Sequence, residues 1–107
     1  MNTASLDRAP WVISAADQPL ALEIVLLRQT VILSWNQFVF AEGGDDEVRI
    51  AFASHDVVVK GAGLGPLLHA IAAHRVARIQ ESGRSEHFPS QAGRLIREIV
   101  VRKMEAE

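Results

Sequence analysis

The chain has 107 residues, of which 49% are hydrophobic, and its formal net charge at neutral pH is −2. This length suits one domain, which can bury a core but is only marginally stable. The absence of cysteine excludes a disulfide framework, a thiol nucleophile and a zinc site with sulfur ligands. The small net charge is not typical of a nucleic-acid-binding protein, and no apolar run approaches the ~20 residues of a membrane-spanning helix. We therefore expect a cytoplasmic domain that binds neither nucleic acid nor membranes.

The chain is predicted to consist of an N-terminal arm, residues 1–19, and a single α+β domain, residues 20–107. The arm contains Pro10 and Pro19, and its apolar triplet beginning at Trp11 is expected to dock on the domain. The segments that follow, LALEIVLL, TVILSW and QFVFAE, are rich in the β-branched and aromatic residues typical of strands. Because the turn signals between them are weak, the pattern leaves open whether they form two strands or three.

A second group of strands follows a clear turn. The sequence EGGDDE contains two glycines that tolerate positive φ and acids that favour water. Residues 48–54 then alternate between apolar and polar positions, as in a half-buried strand. His55 and Asp56 reverse the chain into VVVK, and so short a connection requires an antiparallel pair. Residues 20–60 are therefore predicted to form an antiparallel sheet of about four strands.

A helix is predicted after this sheet. Pro66 suits the first helical turn, because the N–H group that proline lacks would have no partner there and its φ is already helical. The helix is expected to begin near Gly65 and to end near residue 74. If it continued, Arg75 would place a charge within its apolar stripe. The segment 75–81 is therefore left open between helix and strand.

The C-terminal segment also allows two interpretations. Apolar residues between 92 and 104 match helical spacing, whereas the run IVV favours a strand. We favour a helix over residues 94–103, preceded by an exposed loop over residues 82–93, which are rich in turn-forming residues. The predicted fold class is α+β, with an antiparallel sheet of about four strands followed by a packed helix and a C-terminal helix or strand.

The sequence VVVKGAGLGP resembles in outline the dinucleotide-binding fingerprint of the Rossmann fold. Gly61 and Gly63 stand at the first two glycine positions, but Pro66 stands at the third, where close packing needs a glycine. The preceding strand also belongs to an antiparallel hairpin, whereas the Rossmann turn leaves a parallel sheet. We interpret the stretch as a link between a strand and a helix. As an alternative, Lys60, Gly61, Ala62 and Gly63 form a nest of backbone N–H groups that binds a small anion.

The sequence predicts no catalytic or metal-binding constellation. Ser54, His55 and Asp56 are the residue types of a catalytic triad, but three consecutive turn residues do not adopt its geometry. His69 and His74 are five positions apart and would lie on different sides of a helix, so they do not form a ligand pair. We therefore expect a protein that is not an enzyme and that carries no metal or cofactor.

The aromatic residues lead to the functional prediction. Trp35 and Phe38 have opposite parity, so a continuous strand cannot bury both on one face. The second face must be covered by a helix, by the Trp11 arm or by another copy of the chain. Arg75 is a candidate for an ion pair with an acid of this chain or of another. We therefore predict a small domain that acts through homo-oligomerisation or by binding another protein, with an interface formed by Trp11, Trp35, Phe38 and Arg75.

Overall fold

Two β-sheets form most of the structure, a computed structural model that describes residues 9–14, 17–82 and 94–104. The strands are β1 (Trp11–Ile13), β2 (Ala21–Val25), β3 (Thr30–Ser34), β4 (Phe38–Gly43), β5 (Glu47–Phe52), β6 (His55–Ala62), β7 (Val76–Gln80) and β8 (Leu95–Lys103). A 3₁₀ helix (Trp35–Gln37) separates β3 from β4, and the α-helix α1 (Gly65–Ala72) separates β6 from β7.

The first sheet has the strand order β1-β7-β2-β3 and joins segments that are distant in the chain. β2 and β3 form an antiparallel hairpin, and its turn is closed by the N–H of Leu26, which donates to the carbonyl of Gln29 at 2.8 Å. β7 runs parallel to β2, and β1 runs antiparallel to β7. A parallel pair requires a long crossover, which here contains β3 to β6 and α1.

The second sheet has the strand order β4-β5-β6-β8 and is antiparallel throughout. Short connections place β4, β5 and β6 side by side, and β8 pairs with the other side of β6. The pairing of β6 with β8 contains a β-bulge, because Lys60 is opposite Glu98 and Gly61 is opposite Ile96. Arg97 is thus an extra residue on β8.

Side chains from both sheets and from α1 form one buried cluster. Leu22 and Ile24 of β2, and Ile50 of β5, are fully buried, as are Leu67 of α1 and the preceding Leu64. Buried and more exposed residues alternate along β2, as expected where one face of a sheet covers a core. Within the described ranges, no helix is long and apolar enough to cross a membrane.

The predicted fold class is wrong, because the described chain is mostly β and has two sheets where one was expected. The segment 20–41 contains three strands, and the 3₁₀ helix after β3 directs β4 into the second sheet. The apolar triplet at Trp11, predicted to dock, forms β1 on β7. The helix predicted from Gly65 is present and ends at Ala72, and most of the open segment 75–81 is β7.

The C-terminal helix predicted over residues 94–103 is strand β8. Its apolar spacing misled the prediction because of the bulge at Arg97. A regular strand buries every second residue, whereas the extra residue lets Ile96 and Ile99 both lie in the core at a spacing of three. A spacing of three in the sequence is also typical of a helix. Most of the predicted loop, residues 83–93, lies outside the described residues.

Candidate functional site

The glycine-rich turn after β6 has structural reasons for its glycines. Gly61 is buried beside β8, and a Cβ atom there would overlap the carbonyl oxygen of Leu95. Gly63 has a φ of 64°, in the left-handed region that favours glycine. Ala62 pairs with Leu95 in the ladder, and Lys60 is exposed. The turn therefore combines a close approach of two strands with a sharp change of direction into α1.

Backbone N–H groups of this turn already have acceptors within the chain. The N–H of Gly61 donates to the carbonyl of Asp46 at 3.1 Å, and that of Leu64 donates to the carbonyl of Asp45 at 2.8 Å. The N–H of Gly65, at the start of α1, donates to Oδ1 of Asp45 at 3.3 Å. A carboxylate at a helix N-terminus is favourable because the helix dipole is positive there. The acidic β4–β5 turn thus accepts from Gly61 of the predicted anion-binding nest and from Leu64 and Gly65, which follow the nest.

The two tryptophans of the predicted interface belong to the core. Trp11 and Trp35 are each 7% exposed, and Nε1 of Trp35 donates to the carbonyl of Val76 at 3.0 Å. The Trp35 ring centroid lies 5.5 Å from those of both Phe38 and Phe52. Trp35 and Phe38 share one cluster despite their opposite parity because the 3₁₀ helix interrupts the alternation between them.

Arg75 lies beyond the end of α1 and is exposed. Its Nη1 donates to the carbonyl of Ser14 at 3.0 Å, and the N–H of Ser14 donates to the carbonyl of Arg75 at 2.7 Å. These bonds connect the end of β1 to the start of β7. Glu23, an acid of the first half, pairs with Arg78 at 3.1 Å. Glu23 is therefore the partner of Arg78 in the structure, and the bonds between Arg75 and Ser14 join β1 to β7.

An open depression of about 430 Å³ lies at the β4–β5 turn. It is lined by Glu42, Gly43, Gly44, Asp46, Glu47 and Arg49. Arg49 donates from Nε to Oδ1 of Asp56 at 2.8 Å, and this contact raises the pKa of the guanidinium above its usual value. Among the described residues, no three His, Cys, Asp or Glu side chains are grouped to hold a metal ion. The depression therefore has acidic side chains, but its described residues do not form a set of metal ligands.

The outer face of the second sheet carries opposite charges on neighbouring strands. Lys60 lies between Glu47 and Glu98, and Asp56 lies opposite Arg102. Such cross-strand pairs are typical of a face that is exposed to water, and each stabilises a sheet by only ~0.2–1 kcal/mol. This face has the composition of an ordinary solvated surface.

Strand β3 has a different character, because its sequence TVILS carries no charge and it lies at an edge of the first sheet in the described part of the chain. The N–H of Trp35 donates to the carbonyl of Leu20 at 2.9 Å. This bond and the bond that closes the turn show which residue pairs of the β2–β3 ladder are hydrogen-bonded. In an antiparallel ladder, bonded and non-bonded pairs alternate. Val31 and Leu33 therefore direct their backbone groups towards β2. Thr30, Ile32 and Ser34 direct theirs away from the sheet.

Apolar side chains are also exposed along this edge. Ile32 and Leu27 are each 65% exposed, and Leu20, beside the end of β3, is 89% exposed. Natural sheets usually protect an edge with charged residues, proline or a short strand. Strand β8 carries four charged residues and β1 has three residues, whereas β3 has none of these features. This edge is not among the residues predicted from the sequence, although the absence of charge in TVILS is a signal of it.

The chain matches no protein-family model, no curated protein and no solved structure in the comparisons made.

Proposed function

We propose that this protein is a non-enzymatic interaction domain that binds another polypeptide by strand addition at β3, an edge strand of the first sheet in the described part of the chain. In strand addition, an extended segment pairs with an exposed sheet edge, and main-chain hydrogen bonds supply much of the affinity. The outward backbone groups of Thr30, Ile32 and Ser34 carry this proposal, because they form a regular row of donors and acceptors.

The side chains on the two faces of β3 support the same proposal. On the inner face, Leu33 is buried and Val31 packs against the core. On the outer face, Ile32 is largely exposed and lies opposite Glu23 of β2. An added strand extends both faces, since its alternate side chains meet an apolar inner surface and the Ile32 side chain. Specificity then depends on the side chains that the partner strand places beside Ile32.

The alternative function, binding of a small anion at the glycine-rich turn, has less support. The amides of Gly61 and Gly65 are bonded to the β4–β5 turn, so an external anion must compete with Asp46 and with the Asp45 carboxylate. We therefore place the interaction at β3.

The proposal is tested by nuclear magnetic resonance on the ¹⁵N-labelled full chain. The probe is a synthetic peptide of alternating threonine and valine, which offers an extended backbone without a particular sequence. We expect the peptide to slow hydrogen exchange at the amides of Thr30, Ile32 and Ser34. The amides of Val31 and Leu33 serve as internal controls, because the ladder with β2 already protects them.

A proline variant separates strand addition from other binding. Ile32→Pro removes an N–H that faces away from β2, so the variant keeps the β2–β3 ladder and loses the central donor of the free edge. Val39→Lys is the matched control, because Val39 is 60% exposed on β4 at an edge of the other sheet. The peptide should protect the Val39→Lys variant as it does the wild type. Equal protection of the wild type and Ile32→Pro would refute strand addition at β3.

A further inference from the structure

The sequence of β3 is symmetric about its central residue. Thr30 and Ser34 are hydroxyl residues at the two ends, Val31 and Leu33 are aliphatic, and Ile32 lies at the centre. When two identical strands pair in antiparallel orientation about Ile32, Thr30 lies opposite Ser34 and Val31 lies opposite Leu33. Each residue then meets a residue of its own kind, as an interface between two identical surfaces requires.

The hydrogen-bond phase of β3 agrees with this register. Ile32 directs both its N–H and its carbonyl away from β2. At a two-fold axis through Ile32, the two copies of this residue exchange both backbone bonds. Thr30 and Ser34 also face outwards, so they pair at either side of the axis. A register shifted by one residue on one copy would place the outward groups of that copy opposite the inward groups of the other.

The distribution of charge also favours a second copy as the partner. A two-fold axis places the residue on it beside its own image, so a charge there meets a like charge, whereas a residue away from the axis meets a different residue of the partner strand. The strand β3 has no charged residue, whereas β8 carries Arg97, Glu98, Arg102 and Lys103 and β4 carries Glu42. Of the longer edge strands in the described chain, β3 is thus the one without a charged side chain, so its self-pairing brings no like charges of the strand together in any register.

We propose that two copies of the chain pair β3 with β3 in antiparallel orientation about a two-fold axis at Ile32. This pairing joins two four-stranded sheets into one continuous sheet of eight strands. The inference rests on the proposed function, since it names a second copy of the chain as the polypeptide that adds to the edge. In the dimer, Ile32 of one copy lies beside Ile32 of the other on the outer face.

The size of the contact predicts a weak dimer. A five-residue strand is about 17 Å long. Pairing along this length buries less surface than a standard interface of about 1,600 Å². Interfaces of standard size already include complexes with micromolar dissociation constants. We therefore expect a reversible dimer that dissociates on dilution through the micromolar range.

The test is sedimentation velocity of the full chain from about 1 to 500 μM, together with two charge variants of the central residue. Ile32→Lys and Ile32→Glu each place two like charges at the two-fold axis, so each variant alone should dimerise at least tenfold more weakly than the wild type. An equimolar mixture of the two variants should form a heterodimer, because opposite charges then meet at the axis. This rescue also excludes misfolding as the cause of dissociation. Val39→Lys should leave the dimer unchanged.

Three results would overturn the proposal, and the second of them would also overturn the proposed function. A wild-type chain that stays monomeric at every concentration, yet gains protection from the Thr–Val peptide, refutes self-pairing and leaves strand addition intact. A monomer whose Thr30, Ile32 and Ser34 amides are already protected shows that the edge is covered within one chain, and it refutes both. A dimer that neither Ile32 variant weakens places the interface elsewhere and also refutes self-pairing.

Discussion

Replacing Gly61 with alanine tests whether a glycine is needed there because β6 and β8 approach each other closely. The added methyl group would overlap the carbonyl oxygen of Leu95, and it would lie 2.9 Å from the Leu95 carbonyl carbon and 3.0 Å from Cα of Ile96. Carbon atoms in favourable contact are ~3.5–4.0 Å apart. The atoms in the way belong to the backbone of a paired strand, so they cannot move aside as a flexible side chain does.

The cost of this substitution follows from the displacement that it forces. Overpacking typically destabilises a protein by ~1–3 kcal/mol, and a clash with paired backbone belongs at the upper end of that range. We expect the free energy of unfolding of Gly61→Ala to fall by about 3 kcal/mol. A domain of this size has a total stability of ~5–15 kcal/mol, so the variant still folds but with a Tm lowered by ~12–18 °C. Urea unfolding, followed by tryptophan fluorescence and circular dichroism, measures the change.

Gly44→Ala is the matched control, because no heavy atom lies within 4 Å of a Cβ built at Gly44. Its free energy of unfolding should change by less than about 0.5 kcal/mol, as for most surface substitutions. The reasoning is refuted if Gly61→Ala and Gly44→Ala have the same stability within error. Such a result would mean that β8 does not approach Gly61 closely, and an anion site at this turn would again deserve consideration.

Three further predictions concern the core and the sheets. Trp35→Phe removes the buried indole donor to the carbonyl of Val76, so urea unfolding should show a loss of about 1–3 kcal/mol. A loss below about 0.5 kcal/mol would contradict the buried bond. Glu81→Gln should lower the free energy of unfolding by about 1–3 kcal/mol. The Glu81 carboxylate accepts backbone N–H groups from both the β2–β3 turn and β8, whereas an amide has only one acceptor oxygen. An unchanged urea midpoint would contradict this role. Leu33→Pro removes a donor to β2 and should lower the Tm far more than Ile32→Pro; the opposite order would refute the phase of the ladder.

Local patterns in the sequence predicted the features that depend on near neighbours. The position of Pro66 correctly indicated a helix from Gly65, because its effect operates within one turn of chain. The short reversal before VVVK correctly indicated an antiparallel pair for the same reason, although it lies at Ala53 and Ser54, and His55 and Asp56, predicted to form it, belong to β6. The parallel pairing of β2 with β7 joins residues 55 positions apart, as Glu23 with Arg78, and no local preference of either segment specifies it.

The β-bulges explain why the last part of the chain was hard to interpret. In β7, Ile13 is opposite Val76 and Val12 is opposite Arg78, so Ala77 is an extra residue as Arg97 is in β8. Each bulge reverses the alternation of side chains between the two faces of a sheet. Val76 and Ile79 are therefore both buried at a spacing of three, which is also the spacing of a helical face. A single sequence does not distinguish a bulged strand from a short helix by periodicity alone.

Strand β3 was not predicted as a site because the predicted interface was based on aromatic residues and one arginine. In a domain of this size, Trp11 and Trp35 are among the largest apolar side chains, and the free energy gained by burying them draws them into the core. A sheet edge is marked by what it lacks, since a strand that must avoid pairing carries charges, proline or a bulge. The segment TVILS carries none of these, but an uncharged run of five residues is also typical of a central strand that is covered on both sides. What makes β3 a candidate site is its place at the end of the strand order, and that place is set by the distant pairing of β7 with β2.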